Sequence, residues 1–180
     1  MRKCLVVTLS IAAFTSCEKK TSESAAADAP ESKSVAAAPK GNYKPVDLCS
    51  LVTQAEAEAV LNKKLAPPQK QSGGDCWYMR EGGKDFGDVE FILSIIYAPV
   101  RNAQEFDAFV AEQAKTMNDN VKAQGVAATP FEAKRAPDVG APAWFIDPGL
   151  YVFKDGKILA VGLGGSAGVA LAKIAVGRMS

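Results

Sequence analysis

Near the end of the chain, Gly164-Gly165-Ser166-Ala167-Gly168 spells G-x-S-x-G. On a sharp strand-to-helix turn, that pattern presents a serine as the nucleophile of an acyl-transfer enzyme. The context agrees, because an apolar run precedes the motif and an Ala-rich, helix-favouring run follows it. A serine hydroxyl is a weak nucleophile until a base takes its proton, and the usual base is histidine. The 180-residue sequence contains no histidine. Lys173 is a nearby basic residue, but on a helix opening at Ser166 it lies about two turns away. The residue types therefore favour a tight turn of small residues with Ser166 capping the helix that follows. A serine hydrolase using Ser166 is the alternative.

The same stretch contains Gly162-Leu163-Gly164-Gly165-Ser166-Ala167, a match to G-x-G-x-x-A. A dinucleotide fold needs a second strand and an acidic residue about 20 positions further on. Thirteen residues follow Ala167, so no such fold is expected, although a helix N-terminus attracts anions in general. Glu81, Asp85, Asp88 and Glu90 form an acidic cluster. Calcium favours oxygen ligands of this kind, but the spacing is not that of an EF-hand loop. Glycosidase chemistry would need two of these carboxylates facing each other across a cleft. A solvated turn is expected here, and neither a metal nor a cofactor is indicated.

Trp77, Trp144, Tyr97 and Tyr151 sit on or beside strand-like runs. Their default role is core packing. If they share one face of a sheet, they form an apolar surface for a ligand or partner.

Four elements of context position these residues. The first is a leader. Arg2 and Lys3 precede an apolar run from Leu5 to Phe14, then Thr15, Ser16 and Cys17. This is the layout of a secretory signal, and the run is shorter than the roughly 20 residues that span a bilayer. Phe14-Thr15-Ser16-Cys17 resembles the bacterial lipobox, with Phe14 where Leu is usual and Ser16 where Gly or Ala is commoner. The expectation is a signal peptide over 1–16, cleavage before Cys17, and acyl chains such as palmitate on Cys17. Several chains anchor a protein where one would not. Glu18 stands where an Asp would resemble an inner-membrane retention signal. The expected address is thus the cell envelope: the outer membrane in a Gram-negative cell, otherwise the outer face of the cytoplasmic membrane.

The second is a tether. Residues 17–44 are rich in Ala, Ser, Lys, Glu and Pro and poor in large apolar side chains. Such a segment buries too little surface to offset its ordering entropy and reads as a flexible linker. The third is charge. Cleavage before Cys17 removes two of the 21 basic residues and none of the 20 acidic ones, leaving a formal charge of −1. A nucleic-acid binder would carry a basic stripe, so nucleic acid is not an expected partner. The fourth is cysteine pairing. Cys4 leaves with the leader and Cys17 takes the lipid, which leaves Cys49 and Cys76. An even pair in an exported domain reads as a disulfide, here closing a loop of about 28 residues, worth roughly 3–4 kcal/mol by chain entropy.

Residues 45–180 suit a single domain. Thr53 and Glu56 match a capping box that starts a helix over Gln54 to about Leu61, with Asn62 closing it. Cys76 to Arg80 and Val89 to Ala98 read as strands. In the second strand Val89, Phe91, Leu93, Ile95 and Tyr97 face one side while Ile92 and Ile96 give the other apolar character, as in a central strand covered at least in part on both faces. Asn102 caps a long helix to about Lys122, with Phe106, Phe109, Val110 and Met117 at helical spacing. Trp144 to Ile146 reads as a strand. Leu150–Phe153 and Lys157–Leu163 flank the hairpin signal Asp155-Gly156. A final helix runs from about Ala167 to Met179. The expected fold is α+β: a largely antiparallel sheet packed against about three helices.

Asp47-Leu48-Cys49-Ser50-Leu51-Val52-Thr53, the acidic first helix and Cys76-Trp77 together resemble a group of uncharacterised bacterial lipoprotein domains. So do Asp138-Val139-Gly140-Ala141-Pro142-Ala143-Trp144, the Gly-Leu-Tyr-Val-Phe run from Gly149 and the Ala-rich last helix. The resemblance covers most of residues 47–179. It implies an α/β sandwich with a Cys49–Cys76 disulfide and no established activity. Small exported sandwiches similar to PsbP-like domains act as binding or assembly modules. The expectation is therefore a lipid-anchored, non-catalytic module for an envelope protein or a small ligand. A structural or inhibitory envelope protein is a further alternative.

Overall fold

The computed structural model describes residues 45–179 apart from Val126 and Ala128. The leader, Cys17 and the tether over 17–44 lie outside the described residues. The domain opens with a single helical turn, α1 (Leu48–Leu51), and then α2 (Gln54–Leu61). The capping box forms as the sequence predicts. Thr53 Oγ1 accepts from the Glu56 amide at 3.3 Å, and a Glu56 carboxylate oxygen accepts from the Thr53 amide at 2.9 Å. Asn62, at φ 52°, closes the helix in the left-handed region, where Asn is tolerated better than most residues.

Seven strands follow in one antiparallel sheet: β1 (Gln69–Lys70), β2 (Cys76–Met79), β3 (Val89–Ile96), β4 (Lys134–Arg135), β5 (Ala143–Ile146), β6 (Gly149–Lys154) and β7 (Lys157–Val161). Their order is β1-β2-β3-β7-β6-β5-β4. Chain neighbours pair within each half, and a single seam joins β3 to β7, with Leu93 opposite Val161 and Ile95 opposite Leu159. The two-residue edge strands β1 and β4 have no counterpart in the sequence reading. They are too short for alternation to reveal them.

One face of the sheet carries the main core, and the other is covered in part, over β5, β6, the start of β7 and the end of β3. Phe91 and Leu93 point into a core with Tyr78, Val152, Leu159 and Val161, beneath α1, α2 and the last helix, α4 (Gly165–Arg178). The Tyr78 and Phe91 rings stack there at 4.1 Å. The opposite face is covered by α3 (Ala103–Ala123), whose Phe106 and Val110 pack on Ile146, Phe153 and Ile158. Asn102 Oδ1 caps α3 by accepting from the Glu105 amide at 2.9 Å. The predicted α+β fold is thus observed, with four helices instead of about three. The Cys49–Cys76 disulfide is present, its Cα atoms 5.2 Å apart, and it ties α1 to β2.

The final helix departs from expectation at its start. Ser166 is not its cap. The cap is Gly164, whose carbonyl accepts from the Gly168 amide at 3.2 Å, and the helix begins at Gly165. Gly165 adopts φ +66°, a conformation that glycine reaches without cost. The helix therefore starts two residues sooner, and Ser166 falls inside the first turn, exposed.

Candidate functional site

The glycines of G-x-S-x-G have a packing role. A Cβ at Gly168 would collide with the carbonyl oxygen of Leu163. A Cβ at Gly164 would stand 3.2 Å from the carbonyl oxygen of Pro148. Both positions are small because backbone passes close by. The Ser166 hydroxyl has no hydrogen-bond partner among the described residues. Lys173 is exposed two turns along α4, so no base is brought to the serine. The acidic cluster is likewise committed to local structure. Asp88 accepts from the Lys84 and Asp85 amides and from Arg80 Nε at 2.7 Å. These contacts hold its carboxyl below the usual range, the two backbone amides most of all. Glu90 pairs with Lys63. Among the described residues no group of acids or cysteines could hold a metal ion.

The four aromatic candidates do not form one surface. Trp144 and Tyr151 are cross-strand partners on the α3 face. Trp144 is engaged there: its indole N–H donates to Asp107 on α3 at 2.8 Å, and the Arg135 guanidinium lies over its ring at 4.6 Å. Arg135 also reaches Asp107 at 2.7 Å, so the three side chains clamp α3 to β5 and the β4 edge. Tyr151 packs beneath α3, where burial pushes its hydroxyl pKa up. Trp77 lies on the same face of the sheet but at β2, beyond the strands that α3 covers, where the exposed Phe86 ring meets it edge-on at 5.5 Å. Tyr97, 54% exposed, lies past the end of β3 beside the chain entry at Pro45 and Val46.

The concave feature with mixed chemistry lies elsewhere. A cleft of about 480 Å³ opens where the β5–β6 turn meets the start of α4. Phe145 of β5 contributes one ring; its cross-strand neighbours are Lys134 and Leu150. Phe131 and Pro130 contribute the facing wall from the segment before β4. Asn118 of α3 fixes that segment with two hydrogen bonds, donating to the Phe131 carbonyl at 3.0 Å and accepting from its amide at 2.6 Å. Asp147 and Pro148 form a two-residue turn with a cis peptide, closed by the Ile146–Gly149 pair. This turn seats against Gly164, so the cleft floor is backbone from two elements.

The cleft holds three charged side chains: Glu132, Lys134 and Asp147. Glu132 and Lys134 pair at 3.2 Å. Asp147 has no hydrogen bond or ion pair among the described residues. The sequence reading missed Phe131, Phe145 and Asp147. The available signal was the Asp-Pro dipeptide between two short strands, which marks a turn but not what the turn faces. Comparison with protein-family models, with curated proteins and with solved structures finds no match to this chain.

Proposed function

We propose that the chain is a lipid-anchored envelope lipoprotein whose folded domain is a non-catalytic binding module, with the Phe131–Phe145–Asp147 cleft as its site. The observation that carries the binding reading is the cleft itself. It is mostly apolar and carries a few polar groups, as ligand sites do. The leader ending at Cys17, the Ala/Ser-rich tether and the resemblance to bacterial lipoprotein domains support the envelope address. The disulfide suits an oxidising compartment. Among the described residues no helix is long and apolar enough to cross a membrane, so the anchor in this reading is the lipid on Cys17.

Two measurements test the proposal. Intact mass of the membrane fraction should give a chain starting at Cys17 and carrying acyl groups. A water-soluble chain with a free Cys17 thiol would overturn the anchor. For the site, a fragment screen followed by amide shifts should map binders to Phe145, Gly149 and Gly164. Binders that map only elsewhere, or none at all, would overturn the cleft.

A further inference from the structure

We propose that the cleft selects a small ligand that carries an ammonium group on a compact apolar body. This inference rests on the cleft being the binding site and adds the ligand's chemistry to it. The argument is a charge balance over the lining. Glu132 and Lys134 neutralise each other at 3.2 Å. Asp147 contributes a full negative charge with no partner among the described residues. The start of α4, at Gly164 and Gly165, opens on the same cleft. Its cap supplies no side-chain hydrogen bond, so the helix end contributes a partial positive charge of about one half. The balance stays negative.

The apolar surface points the same way. Phe131, Phe145 and Pro130 line the cleft with apolar surface, and aromatic rings in general attract cations. An anionic ligand would gain from the helix end but would meet the Asp147 carboxylate. A neutral apolar ligand would leave Asp147 unused. An ammonium group beside Asp147, with its carbon skeleton on the apolar lining of Phe131, Phe145 and Pro130, uses both the unpaired carboxylate and the apolar surface. The volume of about 480 Å³ accommodates a small molecule and leaves room for water.

The test uses the full chain, ¹⁵N-labelled and in detergent micelles, with three probes that share a phenethyl skeleton: phenethylamine, phenylacetate and 2-phenylethanol. Amide shifts of Phe145, Gly149, Gly164 and Gly165 report binding. The amine should bind saturably and most tightly. Asp147→Asn should weaken the amine roughly five- to tenfold and leave the alcohol unchanged. Raising salt from about 50 to about 500 mM on the unmutated chain should weaken the amine and not the alcohol. This second arm stands if the variant fails to fold. Phenylacetate binding as tightly as the amine, or amine binding insensitive to both Asp147→Asn and salt, would overturn the ammonium proposal while the cleft remains a site. If none of the three probes shifts these amides, the cleft reading falls, and this proposal with it.

Discussion

Arg178 and Glu56 lock together elements 122 residues apart in sequence. The guanidinium donates from Nη2 to Glu56 Oε1 at 2.6 Å and from Nη1 to Glu56 Oε2 at 2.8 Å. Arg178 Nη1 also donates to the Leu51 carbonyl at 2.8 Å. One bidentate pair thus joins the last turn of α4, the first turn of α2 and the end of α1. The pairing with Arg178, together with the Thr53 amide and hydroxyl, holds the Glu56 carboxyl down to about 2 from its ordinary 4.5.

A pH dependence follows from that depression. In the unfolded chain Glu56 takes up its proton near pH 4.5, and in the folded one only near pH 2. Between those values the unfolded state binds more protons, so stability is present above about pH 5 and is lost as pH falls. Urea midpoints should therefore decline from pH 5 toward pH 2 in the unmutated protein. Glu58, Asp88 and Glu105 are lowered as well and contribute to that decline, so the diagnostic quantity is the gap to Glu56→Gln. That gap should be largest above pH 5 and close toward pH 2. A gap independent of pH would show that the pair does not act in solution.

Ser166 and Gly168 should respond oppositely to alanine. Ser166 is exposed and caps nothing, so Ser166→Ala should change stability by no more than about 0.5 kcal/mol. Gly168→Ala forces a methyl against the Leu163 carbonyl and should cost about 1–3 kcal/mol or more. Chemical denaturation of both variants provides the comparison. If Ser166→Ala abolished a measured hydrolysis while folding stayed intact, the non-catalytic reading would be refuted.

Removing the disulfide should be more costly than Ser166→Ala. Replacing Cys49 and Cys76 by serine frees α1 from β2 and should lower stability by roughly 2–5 kcal/mol. A thiol count on the unreduced, folded protein should find both sulfurs blocked; two reactive thiols would disprove the pairing.

The Asp107 clamp gives a fourth expectation. Trp144→Phe keeps the ring but loses the 2.8 Å bond to a carboxylate, which should cost about 1–2 kcal/mol at this half-exposed position. Asp107→Ala loses the Arg135 contact too, so it should cost at least as much. A double-mutant cycle should show the two effects overlapping, because both remove the same bond.

The sequence exposed the architecture where its signals were local. Thr53 with Glu56, Asn102 with Glu105, the alternation of β3 and the Asp155-Gly156 turn each specify geometry within a few residues, and each is observed. The cysteine pair was legible through elimination. What escaped depends on contacts distant in sequence. The sequence leaves Trp144 open between core packing and a ligand surface because nothing nearby shows that Asp107, 37 residues earlier, takes its N–H. The cleft escaped for a like reason: Phe131, Phe145 and Gly164 meet only after α3, the sheet and α4 have packed. The helix cap lies two positions before Ser166, at Gly164, because left-handed Gly165 brings the turn forward.

The single β3–β7 seam has a consequence for association. Strands β1 to β3 form one ladder from neighbouring segments, and β4 to β7 form another. The 37 residues between β3 and β4, including the whole of α3, are the only covalent link between the two ladders. If two molecules open at Leu93–Val161 and Ile95–Leu159, each ladder can meet its complement from the other chain and restore every seam bond. Exchange between chains would also have to break and remake the Arg178–Glu56 pair and the core shared by α1, α2 and α4, so the strand seam is held by more than its own hydrogen bonds.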